Sequence, residues 1–188
     1  FTLACMLYFF TPYSFEKKLF EAYDSYMNLV KDPQDWICFL DGDTAFLRSD
    51  FGHVIQQYID TYPDAGMFTC YASRCHYQVQ TRRGTEMNNP SLIYHKDMAD
   101  KIHEELHGQV KKVNRRIAGH LMVIKKATWL NVREKVKKNT ASKAILGVDT
   151  KISYAILELN KDILLMRGVY ILHYLRLKRG FGYKEHLL

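Results

Sequence analysis

The stretch that decides the fold is Trp36-Ile37-Cys38-Phe39-Leu40-Asp41-Gly42-Asp43-Thr44-Ala45-Phe46-Leu47. Trp36 to Leu40 are consecutive apolar residues between polar flanks, the pattern of a strand covered on both faces. Asp41 and Asp43 then fall at the carboxyl end of that strand, where open α/β sheets bind ligands. Gly42 between them lets the backbone approach a ligand closely. Two carboxylates at this spacing can share a divalent cation, and a hard cation on oxygen ligands keeps positions free for phosphate. The stretch reads as a metal-diphosphate site.

Working outward, Thr2 to Phe10 forms an apolar first strand that ends at Thr11-Pro12, because proline cannot continue a central ladder. Ser14 is placed to cap a helix from Lys17 to Leu29, and Pro33 separates that helix from the Trp36 strand. Beyond the acids, Asp50 is expected to cap a helix running to Tyr62, and Pro63 to Gly66 make a turn into a strand at Met67 to Tyr71. Arg74 to Pro90 is polar and irregular, and a loop of that length in a small domain is usually functional or mobile. An exposed helix is expected over Lys96 to Val110. A strand follows over Ile117 to Ile124, with Gly119 marking a bulge or a close-approaching ligand. Helices over Ala127 to Val136 and Asp149 to Leu159 flank a soft basic loop, Lys137 to Ser142. Short strands at Ile163 to Met166 and Val169 to Leu172 point to an antiparallel edge, and residues 174–188 form a basic, aromatic tail. Strands alternating with helices define a single α/β/α sandwich over residues 1–188, with a Rossmann-like, mostly parallel mixed sheet.

With 188 residues, the chain can build one full hydrophobic core. Nearly half of it is apolar, which excludes a disordered class. The net charge of +7 favours an anionic ligand or surface, and Lys and Arg gather at Lys111 to Arg116, Lys125 to Lys143 and Arg176 to Lys184. Cys5, Cys38, Cys70 and Cys75 make no CxxC pair, so they read as small buried hydrophobes in a reducing compartment. Cys70, Cys75 and His76 have poor zinc spacing and lack a fourth ligand. No apolar run reaches membrane-spanning length, and Phe1 to Phe10 lacks the basic start and cleavage site of a signal peptide. A cytoplasmic location is expected.

Asp41-Gly42-Asp43 at a strand end resembles the DxD motif of GT-A-type glycosyltransferases. Ile117-Ala-Gly-His-Leu-Met-Val-Ile-Lys125 looks like the glycine-bearing strand on the acceptor side of family 2-like enzymes. Leu146-Gly-Val-Asp149 opens a helix much as that family's catalytic acidic motif does. Val169-Tyr-Ile-Leu-His173 sets a histidine after a late strand, where many such enzymes hold a third metal ligand. The order of the motifs is correct over nearly the whole chain. The pattern departs in one respect: the first strand leads through one helix to the acidic strand, where the family carries an extra early βαβ unit. The nucleotide-binding half is therefore abbreviated.

The resemblance implies a metal-dependent transfer of sugar from a nucleotide-diphosphate sugar to an acceptor hydroxyl. Asp41, Asp43 and His173 would hold Mn2+ or Mg2+, with Asp41 also near the donor ribose. Thr11, Pro12 and Tyr13 would lie near the nucleotide, and Arg176, Lys178 and Arg179 over the phosphates. Asp149 would act as general base in an inverting displacement, with Gly119 and His120 beside the acceptor. That acceptor is a saccharide or is lipid-linked, and the latter would bring the basic tail to the inner face of a membrane. No nucleic acid is expected.

Other classes compete. A haloacid dehalogenase-type phosphohydrolase also sets two acids after an apolar strand, but its pattern has Thr or Val where Ala45 stands and needs a later acidic pair. A nucleic-acid-binding module fits the charge without a supporting signature. A nucleotide-sugar-binding module without turnover is the third alternative.

Overall fold

A computed structural model describes residues 5–75, 77–140 and 146–174 of the chain. Its elements are β1 (Leu7–Phe10), α1 (Leu19–Leu29), β2 (Trp36–Leu40), β3 (Thr44–Phe46), α2 (Phe51–Thr61), β4 (Met67–Ala72), α3 (Leu92–Leu106), β5 (Val110–Val113), β6 (Leu121–Lys125), α4 (Lys126–Lys138), α5 (Val148–Glu158) and β7 (Ile163–His173). A 3-10 turn, Gln78–Gln80, interrupts the long loop after β4.

All seven strands belong to one open sheet ordered β1-β2-β6-β4-β7-β3, with β5 also paired to β7. The fold is α/β and the sheet is mixed. β1, β2, β4 and β7 point the same way, with parallel pairings between β1 and β2 and between β4 and β7. β6 lies between β2 and β4 and runs against both. β3 and β5 also run against β7. The carboxyl ends of the four co-directional strands therefore share one edge, and the entry to β6 shares it with them.

Period-two alternation places β2 in two cores at once. Ile37 and Phe39 pack with α1, α4 and α5 through Tyr23, Met27, Trp129, Val132 and Ile152. Trp36 and Cys38 pack with α2 through Ile55, Tyr58 and Ile59. Each of these strand residues is fully buried, as expected of an apolar run between two helical layers. Asp35, buried just ahead of β2, accepts the Met6 N–H at 2.8 Å and ties down the start of β1. The cysteines are free, and Cys5 precedes β1 rather than lying in it.

Several local expectations are corrected. The helix expected at Lys96 to Val110 is α3, which starts earlier, at Leu92, where the Ser91 hydroxyl accepts the Tyr94 N–H. It is not exposed, because His95, Ala99, Ile102 and Leu106 are buried, and Val110 belongs to β5 instead. Ser14 accepts the Lys18 N–H at 2.7 Å in the turn before α1, so it shapes the approach and does not cap the helix. The Asp50 side chain makes no cap either, because its two oxygens take the Arg48 guanidinium. Asp149 is not the N-cap of α5. Gly147 fills that position with φ +85°, a left-handed conformation that glycine adopts without strain. The two late strands are one continuous β7, whose pairing with β4 jumps from Cys70↔Met166 to Tyr71↔Tyr170. The irregularity holds Arg167, Gly168 and Val169 off the β4 ladder, and Gly168 N–H donates to the Tyr58 hydroxyl at 3.1 Å. β7 is thus no antiparallel edge; it lies between β4 and β3.

No described helix is long and apolar enough to cross a membrane.

Candidate active site

At the shared edge of the strands the chain turns sharply after β2. The Asp41 carbonyl accepts both the N–H and the hydroxyl of Thr44, at 3.2 and 2.8 Å, closing the Asp41-Gly42-Asp43 turn into β3. The Asp41 N–H donates to the His120 carbonyl at 3.3 Å, which ties the turn to the start of β6. Asp43 is tied to the end of β7, since its carbonyl accepts the Tyr174 N–H at 2.7 Å. Pairing of Thr44 with His173 then brings the late histidine level with the acids. His173 Nε2 lies 3.4 Å from Asp43 Oδ1.

One donor atom each from Asp41, Asp43 and His173 falls within 4.8 Å of the others. Ligands of an octahedral cation with bond lengths near 2.1 Å stand about 3 to 4 Å apart, so small side-chain adjustments close the gap. Two carboxylates and an imidazole suit Mn2+ or Mg2+, and three protein ligands leave positions for phosphate oxygens. His173 is buried, and its Nδ1 has no hydrogen-bond partner among the described residues. Ser73 holds its backbone from both sides: the hydroxyl accepts the His173 N–H at 2.8 Å and donates to its carbonyl at 3.2 Å. These residues fit the cation.

Burial pushes the Asp41 carboxyl up to about 6, and the charges of Asp43 and Asp149 add to the rise while His173 opposes it. Carboxylates crowded together in this way resist simultaneous ionisation until a cation arrives.

Asp149, in the first turn of α5, faces the same region. Its Oδ2 accepts the Gly119 N–H at 3.0 Å and its Oδ1 accepts the Thr150 N–H at 2.7 Å. A Cβ on Gly119 would stand 3.0 Å from the Asp149 Cβ, so glycine is what admits this contact. Burial raises the Asp149 pKa, against the lowering effects of those two N–H donors and of the Arg116 charge. The Thr150 side chain adds a further hydrogen bond to this carboxylate, in the same lowering direction.

His120 is fully buried at the entry to β6, with its ring 5.6 Å from that of His173. Burial, with the neighbouring His173, pulls its pKa down to about 3. It is a buried, neutral histidine behind the turn that carries the acids. Gly119, by contrast, does reach the site. Thr11 also arrives there: its methyl lies 3.6 Å from where a Gly42 Cβ would be. Pro12 and Tyr13 follow Thr11, and Tyr13 is exposed without a contact that ties it to the acids. Arg176, Lys178, Arg179 and His76 lie outside the described residues.

Sequence reasoning missed the residue that organises this edge from below. Gln80 is fully buried in the 3-10 turn. Its Oε1 accepts the Ala118 N–H at 2.7 Å, and its Nε2 donates to Thr69 Oγ1 at 2.8 Å and to the Ala118 carbonyl at 3.1 Å. The same nitrogen lies 3.2 Å from His120 Nε2, and Thr69 passes its own proton to the Leu121 carbonyl. A glutamine inside a polar loop carries no periodic signal, so only its tertiary partners reveal it. A concavity of about 750 Å3 between Pro63, Lys112 and Asp162 opens at the opposite end of β4 and β7, away from the acidic cluster.

No protein-family model matches the chain, and a search of curated proteins finds none of significant similarity.

Proposed function

We propose that the chain is a small metal-dependent glycosyltransferase of GT-A-like organisation with an abbreviated nucleotide half. It transfers a sugar from a nucleotide-diphosphate donor to an acceptor hydroxyl. The observation that carries this reading is the convergence of Asp41, Asp43 and His173 on one point at the carboxyl ends of the parallel strands, with Asp149 close enough to influence Asp41.

Mn2+ or Mg2+ held by Asp41, Asp43 and His173 supplies positive charge for the departing diphosphate. Thr11, beside Gly42, stands on the donor side, and Pro12 and Tyr13 extend that side. Arg176, Lys178 and Arg179 remain candidates for further phosphate contacts. Asp149 is the general base. As the acceptor oxygen bonds to the anomeric carbon and the bond to the diphosphate breaks, the hydroxyl proton passes to the Asp149 carboxylate. Burial brings that carboxylate closer to the operating pH, and the Gly119 and Thr150 N–H groups fix its direction. A single displacement with a separate base inverts the anomeric centre. The acceptor is a saccharide or a lipid-linked sugar, and in the second case the protein works at the cytoplasmic face of a membrane.

A thermal-shift series of nucleoside diphosphates and nucleotide sugars, each with and without Mn2+, tests the reading. A stabilisation that needs both nucleotide and metal, and that disappears in Asp43→Ala, supports it. Nucleotide binding indifferent to metal, or nucleic-acid binding with steep salt dependence, refutes it.

A further inference from the structure

The segment that carries Gly119 to Asp149 is strapped down along its length. Ile117 N–H donates to Ser153 Oγ at 3.3 Å, and the same hydroxyl donates to the Asp149 carbonyl at 2.8 Å. Ala118 N–H is held by Gln80. The residue just ahead of this strap, Arg116, is exposed, three residues before Gly119, and Asp149 feels its charge. Its guanidinium carbon lies 5.2 Å from the centre of the Tyr77 ring, within cation-π range, and Tyr77 leads directly into the turn that carries Gln80. Strap and turn therefore set an aromatic face and a cation together on the Asp149 side of the crevice.

Arg116 makes no ion pair among the described residues. Two other arginines, unlike it, have their guanidinium groups taken by carboxylates. Arg82 is paired with Glu105, and Arg133 with Asp24. A planar guanidinium lying over a ring keeps its edge donors for an oxyanion, and such forks match phosphate and carboxylate geometry. The position also suits the chemistry. A cation beside the general base raises the local concentration of an anionic acceptor.

We propose that Arg116, held over the Tyr77 ring beside Asp149, forms the acceptor subsite and selects a saccharide that carries an anionic group, phosphate or carboxylate. The subsite rests on the transferase reading, and the test keeps the two apart. Isotope-labelled full chain, saturated with Mg2+ and a nucleoside diphosphate, is titrated with glucose 6-phosphate, with glucuronate and with glucose, following the Gly119 amide and the Arg116 side-chain signals. A separate Mn2+ titration reads paramagnetic loss of the amide signals around Asp43 and His173.

The expected result is saturable shifts with at least one anionic sugar, at an affinity about tenfold or more above glucose. The phosphate and carboxylate arms show which group is preferred. Arg116→Gln removes the discrimination, Tyr77→Leu weakens it, and the Mn2+ effect is unchanged in both. Equal response to all three sugars, no response to any, or discrimination that survives in Arg116→Gln overturns the subsite. Absence of the Mn2+ effect in the wild type overturns the transferase reading instead.

Discussion

The backbone N–H of Gly119 donates to the carboxylate of Asp149 at 3.0 Å, with no room between the two residues for a side chain on the first. One hydrogen bond thus aims the proposed base, and one missing Cβ permits the bond. Gly119→Ala would put a methyl 3.0 Å from the Asp149 Cβ and push the carboxylate aside. The fold is expected to survive, because the segment is also held by Gln80 and Ser153. Asp149 must give by only a few tenths of an ångström, so turnover is expected to fall by about tenfold. Steady-state transfer assays beside circular dichroism check this; a fully active Gly119→Ala enzyme would remove Asp149 from the mechanism.

Metal binding should depend on all members of the cluster. Asp43→Ala and His173→Ala each remove a donor atom without disturbing the backbone bonds at Tyr174 and Ser73. Each is expected to weaken Mn2+ by at least about tenfold, measured by calorimetry. Wild-type affinity in either variant would mean that the ion, if bound at all, lies elsewhere.

The pH dependence has a definite sign. Asp41 in the folded chain holds its proton up to about 6, against an ordinary value of 3.8. Between those values the folded state binds more protons than the unfolded one, so the stability of the metal-free protein falls as pH rises through that window. Asp41→Asn is therefore expected to melt at least about 2 °C above wild type near neutral pH in a chelator. The difference should shrink through about pH 4 and close by about pH 3, where both states are protonated. Excess Mn2+ should reverse the order at neutral pH, because it binds the wild type. Melting curves at the two pH values settle the sign.

Gln80→Leu would strand the Ala118 N–H and deprive Thr69 Oγ1 of its donor in a site with no access to water. The expected loss is about 2–4 kcal/mol in urea unfolding. A near-neutral result would show that the loop repacks around the apolar side chain.

Gly168→Ala tests the bulge. A Cβ there would fall 2.6 Å from the His107 Cα and 2.9 Å from the Tyr58 hydroxyl. Backbone cannot yield as a flexible side chain can, so destabilisation of about 2 kcal/mol or more is expected, read from the same unfolding curves.

Much of this architecture is legible in the linear chain. The buried strand Trp36 to Leu40, the acids at its end and the amphipathic face of α2 through Val54, Ile55, Tyr58 and Ile59 follow from local pattern, since burial on two faces or one leaves a distinct periodicity. Other features were misread for a specific reason. α3 and β5 meet at His107-Gly108-Gln109, where a continuous polar stretch hides a helix end, and Gly108 takes φ +76° to make the turn. Asp50 looks like a cap from spacing alone, yet its carboxylate is taken by Arg48 two residues before it, while that of Asp149 is taken by Gly119 from another segment.

Consecutive residues alone specified that an α/β domain with helices on both faces of its sheet would present Asp41 and Asp43 at a strand end. Tertiary structure alone decided what surrounds them. Every central strand offers two apolar faces, so no periodicity tells β6 to insert antiparallel between β2 and β4, and that insertion delivers Gly119 to Asp149. Nor does local pattern pair Thr44 with His173, the register that brings the histidine to the acids. Strand order and register are settled by long-range packing and hydrogen-bond satisfaction, which act only once the chain has closed on itself.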